Sequence, residues 1–314
     1  MTAEMNILNR QFMSKRAKDV IDFYENFSDV DGLIRWMRTR PSSTSTIIKA
    51  EGNKDVVVVI PTRDAKGIYA KHCKNVVFKD QQIIFIENSK GDDLFFNYAK
   101  SVNLGIREAL KFSPDWIVVC NDDVFKIDEI SILTEGLSKI DKDQIDVVFT
   151  TPPGKFHSYK RTLAMLSNMG RSFYLLSGTI NRNFLRLKRK FGCSYNVGSP
   201  YFPFSLRYKN IFTFTLTGTF SIFSSEYLRT MNGNIFDETY INGYEDVDLS
   251  ISLLTDDSKS THVNYKIGDM SGSSLGRDKS RFLRDISNLA YFNHKIRSGK
   301  LILPTNSNLT FRGL

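Results

Sequence analysis

Residues 56–60 read VVVVI, an unbroken β-branched run that fits a strand buried on both faces. Such strands belong to parallel sheets covered by helices on either side. Two further apolar runs follow, QIIFIEN at 82–88 and WIVVC at 116–120, with a helix between them. In that helix Phe95, Ala99, Val102, Ile106 and Ala109 are spaced four, three, four and three, which puts them on one face. Strand, helix and strand in this alternation predict an open, mostly parallel α/β sheet flanked by helices, with right-handed crossovers. IDVVFT (145–150) and FTFTLTGTFSIF (212–223) are expected to add strands to it.

A chain of 314 residues with 41% hydrophobic and 25% charged residues can bury a substantial core. Around the sheet we expect three parts. Residues 1–50 form a helical N-terminal arm and linker, 51–275 the sheet domain with an insertion at about 154–211, and 276–314 a C-terminal helix and tail. RQFMSKRAKDVIDFYENF puts Met13, Ala17, Val20 and Tyr24 on one helical face, DGLIRWMRTR ends at Pro41, and PSSTSTIIKAEGN reads as a linker. The arm is expected to be an appendage. Within the insertion, TLAMLSNM and NFLRLKRKF read as helical patches and SPYFPFSLRY as loop.

No window approaches the roughly 18 apolar residues of a membrane span, and MTAEMNILNRQF lacks an apolar signal core behind a basic start. Cys73, Cys120 and Cys193 are widely spaced, with no CxxC or zinc-like cluster, as for thiols in a reducing compartment. The expected location is therefore cytoplasmic.

The net charge of +9 is confined to one region. From Val147 to Ser225 there are 11 Lys and Arg and no Asp or Glu, so the rest of the chain carries 32 basic against 34 acidic residues. Aromatic residues such as Phe156, Tyr159, Phe184, Tyr195 and Tyr201 are interleaved. Cations beside stacking platforms suit a polyanion with exposed bases, and Arg182, Arg186, Lys188, Arg189 and Lys190 are the candidate contacts. The same composition suits a membrane interface, with NFLRLKRKF lying among anionic headgroups. A solvated, non-binding face is the plain alternative.

In open α/β sheets ligands collect beyond the carboxyl ends of the strands. Pro61-Thr62-Arg63-Asp64, Glu87-Asn88-Ser89 and Asn121-Asp122-Asp123 all stand there. Adjacent aspartates at the mouth of a buried strand need a compensating partner, although Asn-Asp-Asp is also a good turn and cap. VVVVIPTRD, IIFIENSKGD, FNYAKSVNLGIREA, DWIVVCNDDV and GTFSIFSSEYLRTMNGNIFDETYINGYEDVDLSISL, in this order, resemble the successive motifs of GT-A nucleotide-sugar glycosyltransferases, in particular the large inverting family two. The likeness covers roughly residues 54–153 and 212–275, and its last motif, FDE followed by EDVDL, is the most specific.

The resemblance implies a GT-A type, Rossmann-like fold and transfer of a sugar from a nucleotide donor, most often a UDP-sugar, to an acceptor hydroxyl with inversion. It implies Mn²⁺ or Mg²⁺ held by Asp123, with Asn121 in the first-acid place near the ribose and Asp122 as the middle residue. Pro61, Thr62 and Arg63 match the loop around base and ribose, Glu87 and Asn88 the pair that reads the base edge, and Asn97, Lys100 and Asn103 the helix beside the diphosphate. Asp246 matches the catalytic base, with Glu245, Asp237 and Gly218 on the acceptor side. Asp269, in IGDMSGSS, stands where relatives carry a metal-binding His, with His262 as the alternative ligand.

The acceptor is expected to be polyanionic, modified DNA leading, with a lipid-linked or cell-envelope glycan at a membrane surface as the alternative. A non-catalytic module that keeps this fold and binds nucleic acid or membrane is the alternative of another class; Asn121 in place of the usual acid favours it.

Overall fold

The computed structural model describes residues 3–88, 96–150, 161–165, 178–198, 212–214, 219–256, 258–270 and 280–303. Helices α1 (Ala3–Met13), α2 (Ala17–Glu25) and α3 (Val30–Thr39) precede β1 (Ser45–Ala50) and β2 (Asn53–Thr62). A short α4 (Ile68–His72) runs into a π-helical turn at Cys73–Val77, and then come β3 (Gln81–Asn88), α5 (Tyr98–Ala109), β4 (Trp116–Cys120), β5 (Val124–Lys126), α6 (Ile130–Leu137) and β6 (Val147–Thr150). The basic region holds β7 (Arg161–Met165), α7 (Gly178–Lys190), β8 (Tyr195–Gly198) and β9 (Phe212–Phe214). The chain continues through β10 (Phe220–Ser224), α8 (Ser225–Thr230), α9 (Glu245–Thr255), β11 (Ser260–Val263), β12 (Ile267–Asp269) and α10 (Ser280–Arg297).

Seven strands form the central sheet in the order β1-β3-β2-β4-β10-β6-β11. β2 is parallel to β3 and β4, β11 is parallel to β6, and β10 is antiparallel to both β4 and β6. Five strands therefore share one direction, while β1 and β10 oppose it. The VVVVI run is buried on both faces: Val56, Val58 and Ile60 point into one core, Val57 and Val59 into the other. On the second face Ala99, Val102, Ile106 and Ala109 of α5 cover the sheet, as their spacing predicts; Phe95 lies outside the described residues. A Cβ at Gly105 would stand 2.3 Å from Val59, so the glycine sets how closely α5 approaches.

Four local expectations change. PSSTSTIIKAEGN is not simply a linker, because its STIIKA stretch is β1, an edge strand antiparallel to β3. Its Thr and Ile side chains favour extended backbone once a partner strand is present. The long N-terminal helix is two, broken at residues 14–16, where Ser14 Oγ donates to Asp19 at 2.6 Å. TLAMLSNM is not helical in its described part, for β7 pairs antiparallel with both β8 and β9 in a separate three-stranded sheet. FTFTLTGTFSIF is split between that sheet and the central one.

The arm is no appendage. Phe12, Val20, Phe23, Tyr24, Leu33 and Trp36 share one core with Leu187 and Phe191 of α7 and Leu283, Ile286 and Phe292 of α10. The Tyr24 hydroxyl, fully buried, donates to the Leu283 carbonyl at 2.7 Å. Phe23 lies 4.5 Å from Trp36 and 5.0 Å from Phe12, centroid to centroid. Replacement of such a ring by alanine removes its transfer energy and leaves a cavity. Phe23→Ala is expected to cost about 3–5 kcal/mol in urea unfolding. Because the arm and α10 share that core, tryptophan fluorescence and far-UV circular dichroism should move together in one transition; separate transitions would show the arm to be independent.

Candidate functional site

The parallel triplet β3-β2-β4 brings three polar stretches to one edge of the sheet. Thr62, at the end of β2, donates its hydroxyl to Asp122 Oδ2 at 2.6 Å. Glu87, at the end of β3, accepts from the Ala65 N–H at 2.7 Å and so ties down the loop after β2. Pro61 is buried within β2, and Arg63, just past the strand, is exposed. Asn121 donates its backbone N–H to the Thr219 carbonyl, which carries the chain across to β10.

Asp123 is only 5% exposed. Burial raises the Asp122 pKa above its ordinary value; the Thr62 hydroxyl pulls it down and the neighbouring Asp123 charge adds to the rise. Cys73, in the π-helical turn, donates to the Asp122 carbonyl at 3.3 Å. Its thiol, pushed up to about 12 by burial and then by Asp122 and Asp123, stays protonated for that role.

β12 and β5 pair antiparallel with Asp269 opposite Val124, and Met270 N–H donates to the Asp123 carbonyl at 3.0 Å. Asp269 is thereby held beside Asp123. His262 lies on edge strand β11, three strands from β4, about 14 Å at ordinary strand spacing.

Asn97 caps α5, accepting from the Lys100 N–H at 3.0 Å, and its amide donates to the Glu238 carbonyl at 2.8 Å. Asn103, fully buried, clamps the same loop through the N–H and carbonyl of Phe236 and the Glu238 carboxylate. Lys100 is exposed and donates to Ser42. Asn88 is buried, its side-chain oxygen accepting from the hydroxyls of Ser43, Ser45 and Ser101. Asn88 thus ties the end of β3 to the segment leading into β1 and to α5, and Asn103 ties α5 to the loop after α8.

Glu245 and Asp246 open α9 and are each 6% exposed. Tyr244 before them has φ +74°, and Asn242 +53°; such backbone in bulky residues is tolerated only where the surroundings impose it, and it clusters at functional sites. Tyr98, the first residue of α5, donates its N–H to the Asn242 side chain at 2.9 Å. Its pKa is raised well above the ordinary value by burial first, then by Glu245, Cys120, Asp246 and Asp123. Charge at the end of β4 and charge at the start of α9 therefore both act on this phenol. Gly218 lies outside the described residues.

Asp237 accepts from Tyr291 at 2.7 Å and from the Lys295 ammonium at 3.0 Å. Burial opposes its charge, yet Lys295, Tyr291 and the Thr239 N–H hold its pKa below the ordinary value. Lys295 also donates to Asp248 at 2.6 Å, and Asp248 accepts from Tyr240 at 2.7 Å. Burial opposes the Lys295 charge too, but Asp248 and Asp237 raise its pKa above the usual lysine value. Sequence reasoning passed over Tyr98, Asp248 and Lys295. The signal for the last was Asn288, Tyr291 and Lys295 at i, i+3 and i+7, a polar row on the otherwise apolar inner face of α10.

Mg²⁺ is commonly held by one or two carboxylates completed by substrate phosphates and water. Asp122 and Asp123 supply two adjacent carboxylates of that kind, with burial drawing Asp122 toward its neutral form. Among the described residues no three His, Cys, Asp or Glu side chains are already gathered as a closed metal cage.

The five cations of α7 divide. Arg182, Arg186 and Arg189, at i, i+4 and i+7, lie on its exposed face. Arg186 reaches Glu25 of α2 at 2.5 Å, and Lys190 donates to the Tyr24 carbonyl at 3.0 Å and to Glu25 at 3.4 Å. Lys188 is 2% exposed, its ammonium 5.0 Å from the Phe184 ring centre and without a hydrogen-bond acceptor among the described residues. Leu187 and Phe191 are buried against the arm, so part of α7's apolar face is already covered by protein.

No protein-family model matches the chain, and no curated protein matches it. Among the described residues no helix is long and apolar enough to cross a membrane.

Burial lowers the Lys188 pKa to about 8 from 10.5. Between those values the unfolded chain binds more protons than the folded one, so stability rises with pH across that window and the buried ammonium is a burden below it. The rise has an upper bound of about 3 kcal/mol. Lys188→Met is expected to be more stable than the parent at pH 7 and to show a smaller gain between pH 8 and 10.5, read by urea unfolding at each pH. Equal pH dependence in the two proteins would rule out the buried amine as its source.

Proposed function

We propose that this chain is a metal-dependent, inverting glycosyltransferase that moves a sugar from a nucleotide-sugar donor, a UDP-sugar first among them, to an acceptor hydroxyl. The observation that carries the reading is the acidic pair Asp122–Asp123 at the carboxyl edge of the parallel strands, taken with the Glu245–Asp246 turn of α9, whose approach residue Asn242 accepts from the Tyr98 N–H at the start of α5 at 2.9 Å. A site at a parallel sheet's carboxyl edge, with one acidic group placed for phosphate and cation and another on the opposite wall, suits transfer between a charged donor and a neutral hydroxyl.

In this reading Thr62, Arg63 and Glu87 border the nucleoside, while Asn88, Asn97 and Asn103 hold the walls that receive it. Asp123, with Asp122 and Asp269, would hold Mg²⁺ or Mn²⁺. When bound, that cation neutralises the diphosphate as it departs. Asp246 takes the proton from the acceptor hydroxyl while the acceptor oxygen bonds to the anomeric carbon from the face opposite the phosphate. The bond from that carbon to the phosphate oxygen breaks, and the nucleoside diphosphate leaves with its electron pair.

The acceptor is proposed to be anionic, with modified DNA bearing a base hydroxyl in first place. The exposed Arg182 and Arg189 support this, since guanidinium groups pair with phosphate, whereas Arg186 on the same face already meets Glu25. Covering of Leu187 and Phe191 by the arm removes apolar surface that insertion into a membrane would use.

Transfer from a panel of nucleotide sugars in the presence of Mn²⁺ tests the enzyme. Asp246→Asn should lose about 10²–10⁴-fold of the transfer rate with donor-induced thermal stabilisation kept, whereas Asp123→Asn should lose both. Full transfer by Asp246→Asn would overturn its role. For the acceptor surface, Arg182→Gln/Arg189→Gln should weaken DNA binding and flatten the slope of log affinity against log salt by about two. No DNA affinity at low salt in the parent protein would exclude the nucleic-acid acceptor.

A further inference from the structure

Two elements far apart in sequence bracket the Glu245–Asp246 turn. On one side Asn288 of α10, 1% exposed, accepts from the Ile241 N–H at 2.8 Å and donates to the Ile241 carbonyl at 2.9 Å. This fixes the segment leading into the left-handed residues Asn242 and Tyr244. Asn242 is held again from the sheet side, because its side-chain oxygen accepts from the Tyr98 N–H at 2.9 Å. A Cβ on Gly243 would come within 3.2 Å of the Asn288 amide, so the turn lies directly against α10.

On the other side, two turns further along the same face of α10, Lys295 reaches Asp248 and Asp237 at once. Asp248 is two residues after Asp246, in the same first turn of α9, and its side chain is 8% exposed. Asp237 belongs to the loop that Asn97 and Asn103 clamp from α5. Tyr240 and Tyr291 complete the bridge by donating to Asp248 and Asp237 respectively, and Arg38 stands 5.8 Å over the Tyr291 ring. One ammonium thereby joins three elements: the loop after α8, the start of α9, and α10.

Tyr244 brings the chain into α9 with φ +74°, and its side chain does not cap the helix, so the local backbone does not favour this entry unaided. What holds the entry is external. We infer that Lys295 is a positioning residue for the Glu245–Asp246 turn, locking the first turn of α9 against the Asp237 loop so that Asp246 keeps a fixed place relative to the start of α5, where Asn242 accepts from the Tyr98 N–H. The catalytic part of this inference rests on the glycosyltransferase reading; the mechanical part does not.

Hydrogen exchange followed by mass spectrometry tests the mechanical part without any donor. Lys295→Met should speed exchange in peptides spanning 241–250 by at least about tenfold, while peptides from the β2–β4 core keep their protection. Lys295→Arg, which retains the charge, should restore most of the protection. Should Lys295→Met unfold the chain, Asp237→Asn/Asp248→Asn/Lys295→Met removes the buried charges together and gives a folded protein in which 241–250 is still expected to exchange faster. Unchanged exchange at 241–250, or acceleration spread evenly over the chain, overturns the inference.

In the transfer assay Lys295→Met should lower kcat by about 10²-fold with the donor KM unchanged, the size expected when a reacting group is displaced by about 1 Å. A parent protein with no activity on any donor would count against the glycosyltransferase reading alone, and the exchange result would still decide the mechanical role. An active parent whose Lys295→Met variant keeps full kcat per folded molecule would overturn the catalytic part.

Discussion

The hydroxyl of Thr62 donating to Asp122 across the ends of β2 and β4 is the contact on which the cleft depends. Both strands are buried on each face, so polar side chains have no place along their length and collect where the strands end. Because β2, β3 and β4 run in one direction, those ends fall on one edge. Two adjacent carboxylates result, one drawn toward its neutral form and the other almost wholly out of solvent. Such an arrangement is costly unless donors or a cation compensate it, and the Thr62 hydroxyl is one such donor.

The opposite wall depends on a second buried charge. Lys295 sits between Asp237 and Asp248 with its side chain 12% exposed, one positive charge shared by two negative ones. Asp248, the deeper of the two, has its pKa raised by burial despite Lys295, whereas Asp237 is held below the ordinary value. The ammonium thus joins α10 to the loop and helix that carry Glu245 and Asp246. The arm packs on α10 from outside, and its Tyr24 accepts from the Ser287 N–H at 3.1 Å, next to Asn288. Arm, C-terminal helix and acidic turn are thus joined by packing and hydrogen bonds, although they are drawn from distant parts of the chain.

Much of the sheet was legible. VVVVI, QIIFIEN and WIVVC announce strands because β-branched and apolar runs carry their own preference for extended, buried backbone, and α5 announces itself through its four-three spacing. The acidic pair after β4 and the acidic turn of α9 were legible for the same reason, since charge next to an apolar run is conspicuous. β1 was not, because a short strand that follows a Ser- and Thr-rich stretch acquires its identity from β3 alongside it. β7 was misread as helix because its pairing with β8 and β9 spans tens of residues. The α7 cations looked alike in sequence, yet Lys188 is buried under Phe184, Arg186 and Lys190 meet Glu25, and Arg182 and Arg189 face solvent.

The sequence by itself determined the buried parallel strands, the acids at their ends and the confinement of the positive charge, for each is a property of neighbouring residues and of the backbone they prefer. Only the tertiary structure decided that the Asp269 backbone lies by Asp123 while His262 sits three strands away, that Asn242 before the acidic turn meets Tyr98 at the start of α5, and that Lys295 serves Asp237 and Asp248. Those relations follow from strand order and helix docking. Both are set by the fit of surfaces that meet only after the chain has closed over distances such as the 259 residues between Tyr24 and Leu283.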